Sequence, residues 1–328
     1  MNINKTTLLF VVLLSSLGII GMLVKPASTH PSIHHQSITH EGDIILDNNE
    51  TFTIEDSNFT IAGDVIVNDN ARLMIRNTNF TIAVIVYDGI SHAYRFSIHN
   101  KAMVTIINSK INLGLGGIIL ENSSIIHITE STVSRYKEFS SNQLTLRHNS
   151  TAYIQNSEIE CAVFPQYNSI VYIEASWIQY LHSGAFPSTE GNITAQIRNS
   201  DIDRLHAYYS NVHIWNSTIG SIMCKDSDIC IEDAKIQSYL SASGNSIFVL
   251  IHTYIRERGI SAHDSSIVLV TLDFLPFIVL VPYQWVLWIW LGIVIAIIAS
   301  VGLVIHMIRK RRIRRGFGKE LDRLPFNC

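Results

Sequence analysis

Charge is scarce in this chain. Asp, Glu, Lys and Arg make up 16% of 328 residues and the formal net charge is -3, so no basic surface for nucleic acid is implied. Cysteine is scarce as well: four residues are too few for a disulfide-built domain. Calcium-binding nonapeptides of the Gly-Gly-x-Gly-x-Asp type are missing. So is any sustained apolar period of 3.6, which argues against a run of amphipathic helices, and Asn-Ser pairs at short intervals would break such helices in any case.

What the chain has in quantity is one phrase, written eleven times between Phe52 and Leu275: apolar, any, Ile, any, Asn or Asp, Ser or Thr, any, apolar. The first copies are Phe52 to Phe59, Leu73 to Phe80 and Val104 to Ile111. Their centres are Ile54, Ile75 and Ile106, and later centres are Ile128, Ile154, Ile173, Ile197, Ile214, Ile231, Leu250 and Val270. Successive centres lie 17 to 31 residues apart, a period that belongs to stacked repeats rather than to one globule.

Within a copy, the centre and the residue two before it point to the same side of a strand. The Asn and Ser break that alternation, and the apolar residue five after the centre opens a second short strand in a new direction. Several copies add a third strand with a large and then a small inward residue: Leu181 and Ser183, Leu205 and Ala207, Ile222 and Cys224, Leu240 and Ala242, Ile260 and Ala262. Three strands and three corners in one period predict a coil of a parallel β-helix. Eleven coils at roughly 4.8 Å each make a rod of about 50 Å. Asn77, Asn108, Asn156, Asn199 and Asn216 fall at one corner and predict an amide ladder. Ser57, Ser109, Ser131, Ser157, Ser176, Ser200 and Ser217 predict a second ladder beside it.

The phrase resembles the repeat of right-handed parallel β-helix proteins, the pectin-lyase-like group, which includes repeat-bearing microbial surface proteins. The resemblance runs from about Gly42 to Leu275 and rests on core and corner positions. It implies an all-β, right-handed solenoid; it does not by itself imply an activity. Lyases and hydrolases of that group carry acidic and basic residues on one outer strand column. Here the acidic pairs are Glu158 with Glu160, Asp201 with Asp203, and Glu232 with Asp233. None is joined to the Asn-Thr-Asp, Asp-Asp, Gly-His-Gly and Arg-Ile-Lys set of the glycosidase members, so binding ranks above catalysis and no catalytic residue is assigned. A cell-surface polysaccharide lyase or glycoside hydrolase is the rival reading.

The ends predict the address. Leu8 to Val24 is an uncharged stretch after Lys5, laid out like a signal peptide or signal anchor over residues 1–27. A polar linker is expected over 28–41, the β-helix over 42–275 and a membrane-proximal segment over 276–285. Residues 286–308 are long and apolar enough to cross a bilayer as a helix. Tyr283, Trp285, Trp288 and Trp290 gather at its start like an interfacial belt, and Arg309 to Arg315 holds six basic residues in seven. A basic run in that place puts residues 309–328 in the cytoplasm and the β-helix outside, where N-glycosylation is possible. Candidate sequons are Asn49, Asn58, Asn79, Asn122, Asn149 and Asn192, whereas Asn216 belongs to the expected ladder and is the least suited to a sugar.

Positions flanking each centre face outward and stack into a stripe. Tyr153, Tyr172, Glu174, Arg198, His213 and Trp215 are the candidate binding residues, because rings supply apolar area and polar neighbours fix orientation. Tyr and Trp also simply suit strands, so the same stripe has a purely structural reading. Two further surfaces stand out: a loop near Tyr87 to Tyr94, where spacing is longest, and outward apolar residues Ile247, Val249, Ile251, Ile267 and Leu269. The latter are expected to meet the bilayer surface, the membrane-proximal chain or a second copy. His30, His34, His35 and His40 lack the fixed spacing of a metal site, so no metal or cofactor is expected. Cys224 points inward and Cys230 outward, which opposes a bond between them. The partners implied are the membrane and envelope glycans or other surface proteins, with self-association through the membrane-proximal coils and no nucleic acid.

Overall fold

The computed structural model describes residues 32–280, apart from 88–89, 136–142, 185–192, 256–258 and 273–274. The signal or anchor segment, the expected transmembrane helix and the basic tail lie outside the described residues. Among the described residues no helix is long and apolar enough to cross a membrane.

Those residues form a parallel β-solenoid of about ten turns. Every phrase centre lies in one 13-stranded principal sheet, and each pairs with the next in register: Ile54 with Ile75, Ile75 with Ile106, and so on to Leu250 with Val270. The residues five after the centre form a column in the second sheet, Phe59, Phe80, Ile111, Val133, Ile159, Ile178, Ile202, Ile219, Ile236 and Ile255. The large and small positions of the third strand also align, as Leu181, Leu205, Ile222, Leu240 and Ile260, and as Ser183, Ala207, Cys224, Ala242 and Ala262. In the 17-residue coils the second and third strands merge into one bent strand, as in Asp201–Tyr208 and Thr218–Lys225.

The corner after each centre explains the phrase. The residue two beyond the centre has positive φ in each coil from Asp56 to His252, among them Asn77, Asn108, Asn199, Asn216 and Asp233. Asn and Asp tolerate that left-handed backbone best among residues with a Cβ. The amide ladder is real but interrupted. Asn77 Nδ2 donates to Asp56 Oδ1 at 2.9 Å, Asn108 Nδ2 to Asn77 Oδ1 at 2.9 Å, and Asn216 Nδ2 to Asn199 Oδ1 at 2.8 Å. Glu130 and Ala175 stand in the same column on either side of Asn156 and divide it into two runs.

The hydroxyl ladder is the more continuous of the two. From Ser57 through Thr78 to Ser217 each side-chain oxygen accepts the backbone N–H of its column neighbour one coil earlier, at 3.0 to 3.4 Å. Each hydroxyl also donates to the carbonyl two residues back on its own strand, at 2.5 to 2.7 Å. These side chains are buried, so the ladder satisfies backbone donors that the corner removes from the sheet.

Two boundaries differ from the sequence reading, while the insertion expected near Tyr87 is present. The solenoid starts inside the expected linker: Ile33–His34 pairs in register with the strand of Ile54, and Ser37–Glu41 pairs with Asn58–Ala62. Its polar character hid it, since only Ile33 and Ile38 carry the period. The long spacing before Ile106 is taken up by an antiparallel hairpin, Val84–Tyr87 with Ile90–Ala93. At the other end the strand Leu275–Leu280 turns back and pairs antiparallel with Ile267–Leu272, so the chain itself occupies that edge. The outer face there stays apolar, with Ile247 and Ile267 exposed and in register.

Two substitutions test the corner. Ser157→Ala leaves the buried N–H of Ser131 without its acceptor and is expected to cost about 1–3 kcal/mol in urea unfolding. Ala175→Asn, at a left-handed position, is expected to stabilise by about 1 kcal/mol.

Candidate functional site

In-register pairing decides the outer surface of the principal sheet. The residue before each centre runs His127, Tyr153, Tyr172, Gln196 and His213, and the residue after it runs Gln155, Glu174, Arg198 and Trp215. Strands about 4.8 Å apart are close to the distance at which flat rings lie face to face, so like residues in one column stack. His127 and Tyr153 have centroids 4.7 Å apart at 5°, and Tyr153 and Tyr172 follow at 4.9 Å and 6°. Burial lowers the pKa of His127, which keeps it neutral within the stack.

In the neighbouring column Gln155 Nε2 donates to Glu174 Oε2 at 3.1 Å, and the Arg198 guanidinium lies 4.9 Å over the Trp215 ring. His213 stacks beside Trp215 at 5.5 Å. A shallow hollow of about 220 Å³ opens between Tyr153, Tyr172, Glu174, Gln196 and Arg198. All six candidate binding residues therefore share one face. The rings present themselves differently from a flat platform: both faces of Tyr153 are covered by His127 and Tyr172, so the stack turns its edges outward. Tyr172, the last ring, has Gln196 as its register neighbour.

No family model, curated protein or solved structure matches the chain. Of the sequons, Asn49, Asn58, Asn79, Asn122 and Asn149 are exposed, and Asn192 lies outside the described residues. Exposure does not make them equal. Asn79 Nδ2 donates to Asn58 Oδ1 at 2.8 Å, so the atom that would carry a sugar is engaged there, as it is at Asn216. Cys224 is buried and Cys230 half-buried, and both are free thiols. Burial pushes the Cys224 thiol up to about 12 and the Cys161 thiol likewise, so neither is nucleophilic at neutral pH. Glu158 and Asp201 share a column but Trp177 stands between them. His34 and His35 belong to the first coil, facing Glu55 at 3.4 Å and Asp56 at 3.7 Å. Among the described residues no group of three or more His, Cys, Asp or Glu is arranged to hold a metal.

The sequence reading took the inward residues of the third strand and passed over the outward ones between them. Those outward residues make a close titratable cluster. Tyr180 Oη lies 2.7 Å from His206 Nδ1 and 3.0 Å from His182 Nδ1. His182 packs edge-on to Phe164 at 4.6 Å and beside Tyr208 at 5.2 Å. The signal was Tyr-x-His at 180 and Arg-x-His-x-Tyr at 204, readable once the inward partners Leu181 and Leu205 are known to align. Burial, and secondarily the neighbouring His206, lowers the His182 pKa to about 4, and burial also lowers that of His206.

An imidazole held neutral by folding makes stability depend on pH with a definite sign. In the unfolded chain His182 titrates near 6.5, so between 6.5 and about 4 the unfolded state takes a proton that the folded state refuses. Stability from this group is complete above that window and falls as pH drops through it. His182→Phe is expected to lose stability less steeply than the wild type in urea midpoints taken from neutral pH down to pH 4. Parallel curves for the two proteins would rule out a neutral His182.

Proposed function

We propose that this chain is a membrane-anchored surface protein whose solenoid, a right-handed, pectin-lyase-like β-helix, stands outside the cell and binds an extended envelope glycan along its principal sheet. The observation that carries the binding reading is the shared face: six candidate residues, repeated at the coil spacing, combine ring edges and phenol hydroxyls with a carboxylate and a guanidinium, beside the amides of Gln155 and Gln196. A linear polymer of hydroxylated rings offers matching donors and acceptors at each step along such a face, and hydrogen bonds distributed over several coils add up without a deep pocket. The absence of two facing carboxylates in the hollow argues for holding the polymer rather than cleaving it, since glycoside hydrolysis needs a carboxyl pair.

The membrane anchor rests on the sequence: an apolar segment at 286–308, its aromatic start and the basic run after it. The apolar outer face at Ile247 and Ile267 supports contact close to that anchor, with the bilayer, another surface protein or a second copy.

Binding is checked by titrating the full chain in detergent against a glycan array. Tyr172→Ala and Trp215→Ala are each expected to weaken the best ligand by about tenfold, the loss of roughly one stacked or cation-bearing contact. Undiminished binding by both variants would remove the principal sheet as the site. Release of new chain ends from the glycan by the wild type would instead make the protein an enzyme. The outside address has its own check in a glycosylating host: Asn122→Gln is expected to remove one glycan by mass, and Asn79→Gln to remove none.

A further inference from the structure

The cleft on the second sheet is a separate place from the glycan face and has a different chemistry. It is a cavity of about 470 Å³ lined by Arg135, Gln143, Gln179, Asp203, Arg204 and His206, with Tyr180 at its wall. Among the described residues the arginines in ion pairs are Arg76 and Arg147; Arg135 and Arg204 are in none. Asp203 is the one carboxylate of the lining and offsets a single guanidinium.

The hydrogen-bond inventory then fixes which way His206 presents itself. Tyr180 has one hydroxyl proton and two imidazole nitrogens beside it, His206 Nδ1 at 2.7 Å and His182 Nδ1 at 3.0 Å. His182 Nε2 is buried with no hydrogen-bond partner. A buried N–H without an acceptor is the costlier and rarer defect, so the proton of His182 belongs on Nδ1, donated to Tyr180 Oη. The Tyr180 proton then goes to His206 Nδ1, the shorter contact. His206 must carry its own proton on Nε2.

From this we infer that the cavity binds an oxyanion, a carboxylate, sulfate or phosphate group. Arg135 and Arg204 supply the charge, while His206 Nε2–H and the amides of Gln143 and Gln179 supply directed donors. With Nδ1 occupied by Tyr180 and Nε2 protonated, His206 has no lone pair to abstract a proton, so the cleft binds its anion without acting as a general base. Burial keeps both imidazoles neutral at neutral pH, which preserves the relay. Tyr180 and His182 are positioning residues: they set the tautomer of His206.

The test is calorimetric titration of the full chain in detergent, at neutral pH and low salt, with inorganic phosphate, inorganic sulfate and glucuronate as probes. Saturable binding of at least one probe is expected; the order among them separates a tetrahedral anion from a sugar carboxylate. Arg204→Gln should weaken it about tenfold or more, as loss of one charge-assisted contact predicts, with Arg204→Lys partly restoring it. Arg72→Gln, an exposed arginine of the principal sheet outside both sites, should leave it unchanged. Tyr180→Phe should weaken binding less than Arg204→Gln while changing the ¹⁵N signature of the His206 ring from a single Nε2–H tautomer to a mixture. No saturable binding by the wild type, equal affinity in Arg204→Gln, or an equal loss in Arg72→Gln would overturn the site, whatever the glycan array shows.

Discussion

The solenoid depends on parallel pairing in register, coil upon coil. A parallel sheet of identical register places each residue directly over its counterpart, so a choice made once at a position is tested again in every turn. Inside, this makes unbroken columns of Ile, Val, Leu and Phe, with Phe59 and Phe80 stacked at 5.6 Å. At the corner it lets a serine hydroxyl serve two coils at once. The ladder of hydroxyls holds the register as firmly as the core does, because a slip by one residue would bury polar atoms without partners and expose the apolar columns together.

The same rule explains which parts of the fold could be read from the sequence. The centre, the residue five beyond it and the paired large and small positions of the third strand are apolar, periodic and far apart in kind from their neighbours, so they stand out. The corner was legible for a different reason: Asn tolerates a left-handed backbone, and Ser reaches back to a carbonyl two residues away. The first coil escaped notice because two apolar residues, Ile33 and Ile38, do not make a pattern. The reversal at Leu275–Leu280 escaped because an antiparallel strand carries the same apolar composition as a parallel one.

Surfaces were less legible than the core, and unevenly so. The stripe on the principal sheet could be written down as soon as the centres were aligned, since the residues flanking a centre need no further information. What the sequence did not disclose was how the rings lie. Coil spacing forces Tyr153 between His127 and Tyr172, so its area goes to its neighbours. The cluster of Tyr180, His182 and His206 arises because His182 and His206 pair in register on adjacent coils of different length, with Tyr180 two residues before His182. Its parts are visible in the sequence, while their meeting follows from the register that Leu181 and Leu205 set.

The corner at Asn199 and the corner at Asn216 have one backbone conformation, one amide bridge and 17 residues between them. Since both ends of that stretch are equivalent in shape and in hydrogen bonding, a whole coil is an exchangeable unit. Copying or deleting one would leave every other corner as it was and alter only length. The reach of such a protein is therefore countable in steps, each the thickness of one strand, and can change by a step without any redesign of the coils on either side.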